Sequence, residues 1–139
     1  MMRKIFIDSC YLIAVNNPSD SLHTKAKVVA PKIKAKRTII TDYVFLEMVT
    51  VLSQKVSRNF ANQIGLSILS SNKIELIVID QPIFFETWQI FTKLKPKNLS
   101  FVDCNILAMM RHHKIKKLLS FNHTDFAPLQ KQFGFKLIT

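Results

Sequence analysis

Residues Leu99 to Phe126 read LSFVDCNILAMMRHHKIKKLLSFNHTDF, and the order of their parts decides the fold class. Ser100 is a good cap for a helix running to about His113. A basic link follows, then the short strand Leu118-Leu119-Ser120-Phe121, then the polar cluster Asn122-His123-Thr124-Asp125. A helix that feeds a strand within so few residues belongs to an α/β unit. Asp103 stands in this helix among Phe101, Val102, Ile106, Leu107 and Ala108. A carboxylate there is expensive to bury unless it is protonated, paired or bound to metal. A second acid, Asp125, follows the strand.

Outward from this stretch the same alternation recurs. Lys4-Ile5-Phe6-Ile7 is a first buried strand closed by Asp8, and Asp8-Ser9 can cap a helix over Cys10 to Val15. Asn16 to Asp20 form a turn, and Ser21 to about Lys36 a basic helix that Pro31 breaks or kinks. Thr38 to Thr41 is a second strand. Thr41 or Asp42 then caps a helix with Phe45, Met48, Val49, Leu52 and Val56 on its apolar face. Arg58 to Ser71 is a further helix, with apolar Phe60, Ile64, Leu66 and Ile68, softened by Gly65. Ile74 to Ile79 is the clearest strand. A helix from Ile83 to Leu94 follows it, with Phe84, Trp88 and Phe91 on one face, and Phe135 to Ile138 closes the chain as a last strand. The expected fold is a three-layer α/β/α sandwich on a mainly parallel sheet of about five strands, with residues 1–139 as one domain.

Composition narrows the class. The chain is 48% hydrophobic and 21% charged, which is globular rather than disordered. No apolar run reaches the ~18 residues of a membrane span. The stretch from Met1 to Asp8 is too short in apolar residues for a secretory signal. Cys10 and Cys104 are too few for a disulfide framework and lack zinc spacing, and they read as small buried thiols in a cytoplasmic protein. Twenty basic residues against nine acidic ones leave +11, which favours a polyanionic partner, nucleic acid first. The basic runs at 32–37, 95–97 and 111–117 are candidates for gripping phosphates around an acidic pocket.

The acids are the candidates for that pocket. In a parallel sheet, ligands gather at the carboxyl ends of the strands. Asp8 closes the first strand, Asp125 lies past the fourth, and Glu47 and Asp103 lie near helix starts, so all four can converge. Taken singly, each has a plainer use as a helix cap, a turn residue or a dipole-facing surface acid. Together, several carboxylates would repel one another without a cation. An all-oxygen donor set selects Mg²⁺ or Mn²⁺ over zinc, and such an ion can activate water and stabilise charge on a phosphoryl group.

At these residues the chain resembles the PIN-domain ribonucleases, and the VapC toxins of toxin–antitoxin pairs in particular. Ile5-Phe6-Ile7-Asp8-Ser9 resembles the family's opening strand, first aspartate and following small hydroxyl residue. Thr41-Asp42-Tyr43-Val44-Phe45-Leu46-Glu47 resembles its glutamate-bearing helix, and Ser100-Phe101-Val102-Asp103 its serine-x-x-aspartate helix start. Leu119 to Phe126 resembles its last acidic segment, with Asn122 where many members have aspartate. The resemblance implies a Mg²⁺- or Mn²⁺-dependent endoribonuclease leaving 5′-phosphate and 3′-hydroxyl ends. It implies Asp8, Glu47, Asp103 and Asp125 at the metal, Ser9, Ser100 and Asn122 in support, a homodimer, and a cognate antitoxin. A PIN nuclease of RNA maturation and a non-catalytic RNA-binding module are the alternatives. A haloacid-dehalogenase-like phosphatase would need an aspartate at position 10, which is Cys10. His112-His113 read as helix-end residues, His123 as a distant candidate for a base, and Phe84, Trp88 and Phe91 as core or dimer interface.

Overall fold

A computed structural model of the chain describes residues 3–96 and 98–139. The readings placed on Met1, Met2 and Lys97 fall outside these residues. The elements are β1 (Lys4–Ile7), α1 (Ser9–Asn16), α2 (His23–Ile33), β2 (Arg37–Thr41), α3 (Asp42–Lys55), α4 (Arg58–Ser70), β3 (Ile74–Ile77), α5 (Gln81–Lys93), α6 (Phe101–His112), β4 (Lys117–Leu119), α7 (His123–Phe126), α8 (Gln130–Phe133) and β5 (Lys136–Ile138), with a 3-10 turn at Ala127–Leu129. The strands form one sheet in the order β3-β2-β1-β4-β5, and every pairing is parallel. Right-handed crossovers set α1 to α4 on one face and α5 to α8 on the other, which is the three-layer arrangement expected.

β1 lies at the centre because it is the most apolar strand, with Ile5, Phe6 and Ile7 all buried. Leu118 and Leu119 of β4 flank it on one side, Ile39 and Ile40 of β2 on the other. Helix starts follow local chemistry: Thr41 Oγ accepts the Val44 N–H, Ser57 Oγ that of Phe60, and Asp80 Oδ1 that of Ile83. Among the described residues no helix is long and apolar enough to cross a membrane.

Several local expectations are corrected. Pro31 does not break the basic helix, because α2 ends two residues later at Ile33 and little of the ladder remains to be lost. In α3 the core face is Val44, Met48 and Leu52, while Val56 at the helix end is exposed. In α4, Ala61, Gly65 and Ile68 face inward and Leu66 outward. Gly65 is there for close approach. A Cβ on it would lie 3.3 Å from Phe45 Cζ and 3.4 Å from Val49 Cγ1. In α5 the buried stripe is Ile83, Thr87 and Ile90, and Phe84, Phe85, Trp88 and Phe91 are 41–53% exposed, so they are not core. Helical periodicity alone gives two apolar faces here, and the sheet takes the one with smaller residues. The stretch from His123 to Phe133, which carries no strong period, winds into three short helical turns held by buried Phe126 and Leu129.

Candidate active site

The chain builds the sheet outward from β1 through β2 to β3, then returns to place β4 on the other side of β1. That reversal opens a crevice at the carboxyl ends of β1 and β4, where ligands of parallel sheets collect. Asp8 stands at its floor. Its backbone N–H extends the ladder to Leu119 O at 3.0 Å, and its side chain is 5% exposed. Oδ1 accepts the Ser9 N–H at 2.7 Å and so caps α1, and Oδ2 accepts the Ser120 hydroxyl at 2.7 Å across the crevice. Burial pushes its carboxyl above the usual range, Ser120 and Ser9 oppose the shift, and the Glu47 charge adds to it.

Glu47 reaches the same crevice from the second turn of α3. The Ser9 hydroxyl donates to Glu47 Oε1 and lies 3.5 Å from Asp8 Oδ1, so one hydroxyl stands between two carboxylates. Asp103 comes from the first turn of α6. It completes a capping box: Asp103 N–H donates to Ser100 Oγ at 3.0 Å, and Ser100 N–H donates to Asp103 Oδ2 at 2.9 Å. Its apolar neighbours Ile106 to Met110 turn into the core, while Asp103 itself is half-buried at the helix mouth. The cap engages Oδ2. Burial lifts its pKa to about 6, the Ser100 backbone opposes this, and the charges of Asp8 and Glu47 raise it further.

The three acids from three separate segments therefore feel one another. Asp125 is half-buried in the first turn of α7, and among the described residues no hydrogen bond or ion pair joins its carboxylate to the other three. Asn122, at the N-cap position of α7, donates its backbone N–H to Ser120 Oγ at 3.0 Å. Its link to the cluster thus runs through a serine that sequence reasoning missed. Ser120 is fully buried, accepts from Asn122 and donates to Asp8. The available signal was a hydroxyl at the end of an otherwise apolar strand. Cys10 Sγ lies 3.5 Å from Asp8 Oδ2, where burial and the Asp8 charge push its thiol up to about 12. Burial, with the Asp103 charge, lifts Cys104 to about 11. Both thiols stay protonated at neutral pH in the metal-free protein.

The basic runs are not arranged as expected. Lys36, Arg37, Lys116 and Lys117 lie at the opposite, amino ends of the strands. Among the described residues of these runs, Lys95, in the loop before α6, lies on the side where Asp103 begins its helix.

Among the described residues no three His, Cys, Asp or Glu side chains are drawn close enough to hold an ion. The donor set nevertheless suits one. The oxygens are hard, Asp8 and Asp103 carry raised pKa values that a cation would reverse, and Glu47 shares the Ser9 hydroxyl with Asp8.

A pH test follows from Asp103. Its folded pKa exceeds the unfolded 3.8, so the folded state keeps a proton that the unfolded chain releases. That contribution is complete below pH ~4 and lost as pH rises through ~6. In EDTA, Asp103→Asn is therefore expected to melt above the wild type at pH 7.5, by on the order of 1 kcal/mol after solvent screening. The gap should open between pH 4 and 6 and stay flat above; a gap independent of pH would remove Asp103 from the cluster.

A family profile described as PIN domain matches residues 5–130. VapC20 of Mycobacterium tuberculosis, a sarcin–ricin-loop-cleaving toxin, superposes with a TM-score of 0.81 at 22% identity, over 89% of this chain and 93% of that one. A toxin–antitoxin complex from Klebsiella pneumoniae gives 0.66 at 20% identity, over 97% and 96%. VapBC2 of Rickettsia felis, bound to a promoter DNA fragment, gives 0.65 at 16%, over 97% of each chain. No curated protein sequence matches.

Proposed function

The chain belongs to the PIN-domain family, and from that premise we propose that it is a Mg²⁺- or Mn²⁺-dependent endoribonuclease, the cytoplasmic toxin of a toxin–antitoxin pair, working as a single domain. The observation that carries the proposal is the nearness of Asp8 and Glu47, linked through the Ser9 hydroxyl, with the charges of both raising the pKa of Asp103. Toxin–antitoxin complexes among similar folds support the pairing.

Asp8, Glu47 and Asp103 would hold the ion, directly or through waters, with Asp125 completing the cluster and Ser9, Ser100 and Asn122 in support. The bound ion would supply Lewis acidity, lowering the pKa of a water and stabilising charge on the phosphoryl oxygens. The chain's own residues prepare for it. Ser120 and Ser9 N–H hold both Asp8 oxygens in one rotamer, so the carboxylate cannot swing away from the crevice. The capping box does the same for Asp103. The Ser9 hydroxyl, now on Glu47, can turn to Asp8 when Glu47 is drawn to a cation. A hydrolysed phosphodiester would leave a 5′-phosphate and a 3′-hydroxyl.

Two partners complete the reading. The exposed aromatic face of α5 is continuous with Phe101, whose ring centroid lies 5.6 Å from that of Phe84 and 5.7 Å from that of Phe91. An exposed patch of this kind suits a second copy of the chain. An antitoxin would cover the acidic crevice.

The test is cleavage of a structured RNA with Mg²⁺ or Mn²⁺, with EDTA as control, together with melting curves. Mn²⁺ at a hundred times its Kd should add roughly 2.7 kcal/mol to stability, a shift of several degrees. Cleavage that survives EDTA, or a melting point indifferent to both metals, would refute the metal-dependent reading.

A further inference from the structure

The charge of this protein is sorted along its strands. Lys4 opens β1, Arg37 opens β2, Lys73 precedes β3, Lys117 opens β4 and Lys136 opens β5. Because all five strands are parallel, these cations share one edge of the sheet, and the register sets Lys4 beside Arg37 and Lys117 beside Lys136. At ~4.8 Å per strand the row is about 19 Å long. The acidic cluster lies at the other edge, about 13 Å away along β1 at ~3.3 Å per residue.

The row is thickened by α2 and the turn after it. An open cleft of about 530 Å³ sets Lys27, Lys34, Lys36 and Lys73 around a largely apolar wall that includes Ile33 and Ile74. A second, of about 370 Å³, is lined by Lys32, Lys36, Lys117 and Lys136. Lys36 borders both, so the two clefts adjoin. Among the described residues one ion pair answers this charge, Arg37 with Glu75 at 3.2 Å. Crowding has a measurable sign: contact with Lys36, together with the charges of Lys36, Arg3 and Lys136, holds the Lys117 ammonium below the usual lysine range. Like charges packed this way destabilise the free fold and are relieved by a polyanion.

We infer that the amino edge of the sheet is a docking surface for the phosphate backbone of folded RNA, separate from the acidic site at the carboxyl edge. Three features select nucleic acid over an acidic protein segment. The cations form an extended row rather than a pocket, the clefts between them are open, and among the described residues no exposed aromatic side chain lines them, which suits contacts to a phosphate backbone. The choice of RNA as the polyanion rests on the nuclease reading. Under it, an RNA long enough to span both edges gains affinity from the basic edge that a short strand held at the acidic edge alone does not. The basic edge sets where along a folded RNA the acidic edge falls.

The experiment compares the full chain with Lys36→Gln/Lys117→Gln/Lys136→Gln. Binding of a labelled RNA hairpin, with a stem longer than the domain, is followed in EDTA by fluorescence anisotropy across a salt series. The variant should bind at least about tenfold more weakly near physiological salt, and its slope of log K against log salt should be shallower by about 2–3. It should melt no lower than the wild type, because neutral side chains replace repelling ones. Cleavage of a short oligoribonucleotide in Mn²⁺, which cannot reach the edge, should be unchanged. Unaltered hairpin affinity and slope overturn the inference. So does tighter wild-type binding of polyglutamate, or of a DNA hairpin of equal length, than of the RNA. If the hairpin binds through these lysines but neither RNA is cut, the docking surface stands and the nuclease reading falls. Should the triple variant melt early, the single changes Lys117→Gln and Lys136→Gln give the same readout, each with a slope change of about one.

Discussion

Asp8→Asn is expected to lower RNA cleavage by about 10³-fold or more while leaving the fold intact. The substitution is nearly isosteric. The amide oxygen can still accept the Ser9 N–H that caps α1, and the Ser120 hydroxyl can turn to accept from the amide nitrogen. What it removes is the charge of a buried carboxylate whose pKa burial and Glu47 already push up. In the absence of metal that removal relieves desolvation and repulsion, so the melting point should hold or rise. In Mn²⁺ the same variant should lose most of the metal-induced stabilisation. The two readouts together separate a catalytic carboxylate from a structural cap: a cap residue would cost stability and spare cleavage. Wild-type cleavage by Asp8→Asn would end the case for this crevice as the active site.

Phe126→Ala carries the largest expected loss of stability, about 3–5 kcal/mol. Phe126 is fully buried under α7, with the Phe135 ring edge-on at a centroid distance of 6.4 Å. The helical turns from His123 to Phe133 are too short to persist without such packing. Their loosening would also release Asn122 from Ser120, and so one support of Asp8. Denaturant midpoints should therefore fall steeply, with cleavage at low temperature reduced as well. Phe84→Ala, on the exposed face of α5, should cost under about 1 kcal/mol in the monomer. Equal losses for the two would contradict the burial described.

How much of this was legible beforehand differs by residue. Asp8 was readable because β1 is short, apolar and ends abruptly in an acid, a local pattern that places the carboxylate at a strand end whatever the rest does. Asp103 was readable as an acid out of place, but its oddness was overstated. Helical geometry turns position 103 away from the buried run that follows, and Ser100 gives it a capping role as well. Glu47 had no local mark. Its link to Ser9 spans 38 residues and exists only after α3 crosses the sheet. Ser120 was passed over for the same reason, since its partner Asp8 is 112 residues away.

The exposed aromatics of α5 and the sorting of charge show a second limit. Periodicity tells that a helix has an apolar face, but Ile83, Thr87 and Ile90 were selected for the core by packing against α6, whose Asn105 donates to Thr87. The basic runs could be counted from the chain, yet their side of the molecule depends on which strand end each one opens.

The sequence by itself determined the element types, the parallel α/β class, the first acid and the excess of positive charge, because these rest on periodicity, caps and composition within a few residues. The tertiary structure alone decided that Ser9 links Asp8 to Glu47, that Ser120 holds Asp8, and that the lysines gather at the far edge. Those facts depend on strand order and crossover hand, through which residues tens of positions apart become neighbours.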